Sequence, residues 1–541
     1  MSAVPAQKGT ERVFLRKASG LIKTASNTDV FIFDIGLVSV GIGLGGLLLY
    51  GPGVYLGGNL YIAVLLAGIA MMLIGLGMLC WTVTIPRSGG IYVFATRSLW
   101  PPLAFALSFG EASAWLFYSA FGAYWITTIG IAPAVTVVGI VAHSQSIINV
   151  GTDLTSKGWI FGIGAALELI GAVLLISGMR RFFFSQKVVF TVAIVGTLVL
   201  IIALAVSSRA TFIHNYNTLM GPHLNVGRDA YHGTITAASA HGWSNPGFTW
   251  NQTWKASNWA FLPLIGAAFS ISIGGEIKQV ARGQGFGIVG AIVGSVICWV
   301  IVFVLVYHVM GYDFLSATTY SSLNGVTAAA TPVTPWITLL AGIMTSSSVL
   351  TILISLGFIA WIWLWVPSQV AYGNRAIMAW SLDRVFPDRF ARVSDRTHTP
   401  VNAIMLATLV AIGFLALLTF TTYFQTVVFI EVGVAAWTIT LAAGALFPYR
   451  RADLYEKSPI STIRPLGVPI MTWACGLGTI AGIAYFINLF FDSFAAGHSW
   501  HSLSILLGWF AAGFVIYYVM KLYRARHGVN VDLAFKDIPV E

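Results

Sequence analysis

Long apolar runs recur along the whole chain, near residues 31–50, 60–84, 101–142, 159–178, 186–207, 257–275, 286–310, 334–366, 400–420, 425–447, 468–490 and 500–521. Each approaches or exceeds the roughly 20 apolar residues that an α-helix needs to cross a bilayer core. Membrane-crossing β-strands would show alternation in segments of about 10 residues, which these runs lack. The pattern predicts an all-α polytopic membrane protein of about 12 transmembrane helices, numbered spans 1 to 12.

Composition agrees with that pattern. With 57% hydrophobic and 9% charged residues among 541, and a mean hydropathy of +0.82, a soluble enzyme of this length is excluded. The net charge of +10 reads as membrane orientation rather than as affinity for nucleic acid. With the N-terminus inside, every Lys and Arg falls in an inner segment except Lys157, Arg209, Arg228 and Lys255. That bias predicts cytoplasmic termini in a cell-membrane protein. The N-terminal tail lacks the apolar core of a cleavable signal. Cys80, Cys298 and Cys475 are isolated in apolar surroundings, so neither a disulfide framework, a metal site nor a cofactor is expected.

Two spans break the helical rule. Span 1 carries Gly36, Gly41, Gly43, Gly45 and Gly46, a density that weakens a continuous helix, although Gly41 and Gly45 also suit close helix packing. Span 6 contains Pro263 and Gly266, and a proline within a span frees a backbone carbonyl that only protein or a polar cavity can satisfy. Spans 1 and 6 are the corresponding members of two five-helix halves of inverted topology. Paired interruptions of this kind point to a secondary transporter with a midplane site, where half-helix N-termini face an anion and freed carbonyls a cation. A zwitterionic amino acid fits. The expected organisation is a cytoplasmic tail (1–28), a first inverted repeat (29–207), an extracellular loop (208–256), a second repeat (257–450), helices 11 and 12 (451–522) and a cytoplasmic C-terminal tail (523–541).

Several motifs carry a family resemblance. Gly51-Pro52-Gly53 follows the glycine-rich stretch, and the next inner loop reads Ile85-Pro86-Arg87-Ser88-Gly89-Gly90-Ile91-Tyr92. Gly275-Glu276-Ile277-Lys278 follows span 6, and Asn374-Arg375 leads through Asp383-Arg384 to Pro387 and Thr399-Pro400. In order and spacing these resemble the amino acid, polyamine and organocation (APC) superfamily over roughly residues 30–450, which implies its five-plus-five inverted repeat with broken helices 1 and 6. Gly266 and Lys278 keep the family's separation, and the resemblance implies a substrate site at Gly266 in which Leu262, Pro263 and Ile265 offer carbonyls to the ammonium. It also implies that amides at either Gly41-Ile42-Gly43 or Gly45-Gly46-Leu47, the latter favoured, bind the carboxylate. The chain departs from the pattern too. It has Gly266-Ala267-Ala268 where many relatives have Gly-aromatic-Glu, Gly196 where some proton-coupled relatives have a lysine, and Gly90-Ile91 where a glutamate is common.

Intramembrane acids need a reason, since a charge at the bilayer centre costs about 2.5–3.5 kcal/mol on insertion scales. Glu111 and Glu168 lie about ten residues into spans 3 and 4, near the midplane at 1.5 Å per residue. Each is either a protonated carboxyl bonded within the bundle or a proton carrier or substrate contact. Asp34 is read as a helix-start residue or an inner-gate partner, Glu431 as a shallower candidate, and Glu276 as a solvated partner of Lys278 and Arg282. Hydroxyls of Thr345, Ser346, Ser347 and Ser348 are the candidate sodium ligands. Trp361, Trp363 and Trp365 read as an interfacial belt, and Trp115, Tyr118 and Tyr124 as either pocket lining or packing. The expected function is secondary transport of amino acids or related amines by alternating access. Proton symport leads, with exchange or sodium coupling as alternatives. A membrane enzyme or a channel is the alternative from another class, and no catalytic residue is expected.

Overall fold

The computed structural model describes residues 20–422, 429–492, 494 and 498–535. Lys8, Arg12, Arg16, Lys17 and Lys536 of the basic pattern, and residues 425–428 of the tenth apolar run, lie outside the described residues. Among the described residues there is no strand, and 11 helices are long and apolar enough to cross a membrane. These are span 1 (Asn27–Val54), span 2 (Leu60–Thr84), span 3 (Pro101–Val141), span 4 (Lys157–Ile176), span 5 (Met179–Val206), span 7 (Val280–Val309), span 8 (Ser348–Leu382), span 9 (Val401–Phe420), span 10 (Ile430–Arg450), span 11 (Ile470–Phe490) and span 12 (Trp500–Arg526). Span 6 is the twelfth and is not a continuous helix: an α-helix at Trp250–Leu264 passes into a 3-10 stretch at Ile265–Ser272.

Local chemistry sets the helix starts. Ser26 and Asp29 cap span 1 reciprocally, with Ser26 N donating to Asp29 Oδ2 at 2.9 Å and Asp29 N donating to Ser26 Oγ at 3.3 Å. Asn59 Oδ1 accepts from Ile62 N at 3.1 Å at the head of span 2. Span 3 runs on through a π-helical turn at Ile126–Ile131.

Span 8 corrects the hydropathy reading. Residues 337–345 form a separate short helix that ends at Ser346 in the left-handed region (φ 46°), and span 8 continues to Leu382 instead of ending near 366. Its last third carries Asn374, Arg375 and Ser381, which look polar in sequence yet are buried against protein. The segment that follows span 8 therefore begins at Asp383 rather than just past residue 366. Thr345 to Ser348 are spent on helix ends, with Thr345 Oγ1 donating to the Gly342 carbonyl and Ser347 Oγ capping Leu350 N. Trp361 is buried at 2% exposure in the middle of the span rather than in an interfacial belt.

The loops that join at one end of the bundle, called the basic end below, are knitted together. Arg97 pairs with Asp383 at 2.9 Å, Arg451 donates to the Arg97 carbonyl at 3.1 Å, and Arg524 donates to the Arg384 carbonyl at 3.1 Å. At the far end the 208–256 segment is largely helical. Its helices Arg209–Leu219 and Ala230–Ala240 pack on Ile337–Thr345 and Tyr312–Leu323 respectively, and span 6 already starts within it at Trp250.

The Pro-Arg-Ser-Gly-Gly loop has a structural cause. Gly89 N donates to the Ser272 carbonyl at 3.0 Å, fastening the loop to the end of span 6. Gly90 adopts φ 58°, and a Cβ there would stand 2.6 Å from the Tyr372 hydroxyl of span 8. Gly90→Ala is expected to destabilise the protein by about 1–3 kcal/mol through left-handed strain and overpacking. The check is a lower thermal midpoint in detergent, with Ser88→Ala as the control that leaves the backbone turn intact.

Candidate functional site

Span 1 breaks at Ser39, which sits at φ 47°, ψ 74° between helical halves Asn27–Val38 and Val40–Val54. Neighbouring side chains hold this non-glycine residue in the left-handed region. Ser39 Oγ donates to the Trp361 carbonyl at 2.9 Å, and Trp299 Nε1 donates to the Val40 carbonyl at 2.9 Å. Ser39 N bonds back to Ile35 and Gly36, and Gly43 N bonds to the Ser39 carbonyl. The amides of Val40, Gly41 and Ile42 therefore form the open first turn of the second half-helix.

The favoured register, Gly45-Gly46-Leu47, lies in the interior of that half-helix, where amides are taken up by carbonyls four residues back. Its amides are engaged within the helix, and the amides that the break leaves open lie next to the other register, Gly41-Ile42-Gly43. Gly41 and Gly45 instead abut span 8, where a Cβ would meet Trp361 at 3.0 Å and Phe358 at 3.2 Å.

The two interruptions touch. A Cβ on Gly266 would stand 2.2 Å from the Leu37 carbonyl oxygen and 2.7 Å from Val38 N, so the span 6 break lies directly against the main chain of the span 1 break. Beyond it Ala268 departs from helical geometry (φ −116°, ψ 18°), and the 3-10 path leaves carbonyls of the first half-helix without regular α-helical partners.

A cavity of about 330 Å³ opens where the breaks meet. Of the sequence-identified residues, Ile42, Gly43, Gly46, Leu262, Pro263, Ile265 and Gly266 line it, whereas Gly41, Gly45 and Leu47 do not. The rest of the wall is largely aromatic: Trp115, Tyr118 and Phe121 of span 3, Trp259 and Phe269 of span 6, and Trp365 of span 8. Among the described residues no charged side chain lines it, and the Oε1 of Gln369 in span 8 is buried without a partner. Sequence reading missed Phe269 and Gln369 and placed Trp365 in an interfacial belt rather than on the cavity wall, because which face of a span turns inward is set by packing. Tyr124 does not reach the cavity.

Aromatic rings close the far side. Tyr50 stacks on Trp259 with ring centroids 4.1 Å apart, and Phe494 lies 5.2 Å from Tyr50 and 5.7 Å from Trp259. Asp492, fully buried, anchors that turn by accepting from the Tyr55 hydroxyl at 2.6 Å and from Asn258 Nδ2 at 3.0 Å. Several layers close the basic side. Phe269 packs on Trp115 at 4.6 Å and Tyr372 at 5.0 Å. Deeper, Glu276 accepts from Arg375 Nε and Nη2, both at 3.0 Å, with the two side chains 1% and 0% exposed. Glu276 is thus a buried, bidentate partner of span 8 rather than a solvated partner of Lys278 and Arg282. Its carbonyl also accepts from Thr24 N and Ala25 N at 2.9 and 3.0 Å.

The buried acids are distributed around this core. Asp34 is neither at the helix start, a role Asp29 fills, nor in an ion pair: it accepts from Ser270 N at 2.9 Å and contacts Ser270 Oγ at 2.7 Å. Glu111, beneath Phe269, accepts from the Tyr372 hydroxyl and from Trp437 Nε1 at 2.7 Å. Glu168 accepts from Ser119 Oγ at 2.7 Å. Glu431 stands buried in the first turn of span 10. At Gly196 the backbone of span 5 meets span 8, with Gly357 Cα 2.5 Å from where a Cβ would sit, so no side chain fits there.

A family model described as amino acid permease matches residues 28–520. No curated protein matches the chain.

Proposed function

The chain belongs to the amino acid permease family and carries amino acids across a membrane, and we propose that it does so by alternating access around the cavity between broken spans 1 and 6. The observation that carries this reading is the contact of Gly266 with the Leu37–Val38 main chain, which puts two half-helix junctions on one small cavity. The substrate carboxylate takes the open amides of Val40 to Ile42. Its ammonium takes the carbonyls around Leu262, Pro263 and Ile265. The inverted five-plus-five repeat, with its halves at 29–207 and 257–450, is part of the same proposal.

The substrate side chain faces Trp115, Phe121, Phe269 and Trp365, with no charged residue on the wall among the described residues. A charged side chain would be desolvated there without a partner, which favours neutral amino acids with large apolar groups. Counterflow of labelled leucine or phenylalanine in liposomes tests this. Neutral apolar amino acids should compete and aspartate and lysine should not; competition by lysine or aspartate at similar concentrations would contradict it.

The basic end is assigned to the cytoplasm of a cell-membrane carrier, by the excess of Lys and Arg there. The far barrier is then an outer gate of Tyr50, Trp259 and Phe494, and the Glu276–Arg375 pair an inner gate. Coupling to protons is the favoured mode, because buried carboxyls surround the core, whereas of the candidate sodium ligands Thr345 and Ser347 are engaged at helix ends.

A further inference from the structure

Span 1 meets spans 6 and 7 through a closed ring of polar contacts beneath the cavity. Ser270 N faces Asp34 Oδ1 at 2.9 Å, Asp34 Oδ2 faces Ser270 Oγ at 2.7 Å, Ser270 Oγ faces Gln284 Oε1 at 2.9 Å, and Gln284 Nε2 faces the Ser270 carbonyl at 2.8 Å. All three residues are fully buried, so each contact needs a hydrogen between its two heavy atoms.

With an ionised Asp34 the donors run short by one: the Ser270 amide, the Ser270 hydroxyl and one Gln284 N–H serve four contacts. Turning the Gln284 amide over does not help, because it sets Oε1 against the Ser270 carbonyl oxygen. The missing hydrogen has one place to be, on Asp34 Oδ2. The ring then closes in one direction: Asp34 Oδ2–H to Ser270 Oγ, Ser270 Oγ–H to Gln284 Oε1, Gln284 Nε2–H to Ser270 O, and Ser270 N–H back to Asp34 Oδ1.

Among the described residues no cation competes for this role. On the elements packed against this half-helix, Lys187 is held by Asp29 at 2.7 Å, Arg375 by Glu276 at 3.0 Å, and Tyr372 by Glu111. Arg180, Arg181 and Arg282 are exposed at the basic end. Cys298, Tyr307 and His308 lie farther along span 7, and Tyr50 and Lys255 lie toward the far end.

Resting on the reading of this protein as a proton-coupled permease, we propose that Asp34 carries the coupled proton and that the Ser270–Gln284 ring is the latch that the proton closes. Protonated, Asp34 ties the inner half of span 1 to the kinked part of span 6. When the basic end opens and water reaches the group, the Oδ2–H bond breaks, water takes the proton as hydronium, and a carboxylate remains that no longer completes the ring.

Asp34→Asn is the decisive variant, because an asparagine amide supplies the fourth hydrogen permanently and keeps the fold. In proteoliposomes, D34N should retain counterflow of labelled leucine but lose accumulation driven by an imposed pH gradient. In the infrared difference between wild type and D34N at neutral pH, a protonated-carboxyl stretch should be present in wild type alone. Gradient-driven accumulation by D34N equal to that of a responsive wild type, or no carboxyl band in the difference, overturns the proposal. A wild type that ignores the pH gradient instead removes the proton-coupled reading itself, and the infrared band still reports on Asp34.

Discussion

Gly266→Leu should cut amino acid uptake by up to about a hundredfold while the protein still inserts and elutes as a folded species in detergent. The atoms a side chain would strike are the Leu37 carbonyl and the Val38 amide, 2.2–2.7 Å from the position of a Cβ. Main chain cannot rotate away as a flexible side chain can, so spans 1 and 6 must separate. Overpacking of this kind costs about 1–3 kcal/mol, which at 1.4 kcal/mol per decade is a loss at the site of about fivefold to a hundredfold. Gly266→Ala should fall between wild type and leucine. Counterflow rates for the pair measure the effect, and wild-type rates in G266L would place the substrate elsewhere.

Arg375→Ala should open the basic end. It leaves Glu276 buried without its bidentate partner, and removing one member of a buried pair costs about 3–5 kcal/mol. Shifting a two-state equilibrium from 1:99 to 99:1 takes about 5.5 kcal/mol, so most of the population should leave the closed state. The amides of Thr24 and Ala25, which donate to the Glu276 carbonyl, report this directly: their hydrogen exchange should rise sharply in R375A. The double variant Glu276→Gln/Arg375→Met buries no charge and should stay closer to wild type. Unchanged exchange in R375A would show that the pair does not hold the inner barrier shut.

The uninterrupted spans were legible because their apolar runs end at recognisable caps: span 2 matches its run at 60–84, and spans 9 and 11 match within a few residues. Span 6 was legible from Pro263. Span 1 was only half legible. Its glycines announced an irregularity, but they serve close approach to Trp299, Trp361 and Phe358, whereas the break falls on Ser39, a lone polar residue whose left-handed geometry depends on partners in spans 7 and 8. The end of span 8 was hidden for a related reason. Arg375 reads as a loop cation because Glu276, which neutralises it, is 99 positions away. Asp34 was recognisable as a costly buried acid, yet its partners Ser270 and Gln284 look like isolated tolerated polar residues until the fold brings them together. Along the chain the APC-like motifs carried the family, and the match over residues 28–520 bears that out.

The most direct test is a cryo-electron microscopy map of the protein saturated with a transported amino acid. Density for the ligand should lie between Ile42–Gly43 and Leu262–Gly266, with its carboxylate toward the span 1 amides and its side chain against Trp115 and Phe269. Ligand density away from both junctions, or spans 1 and 6 closing into continuous helices around no cavity, would contradict it.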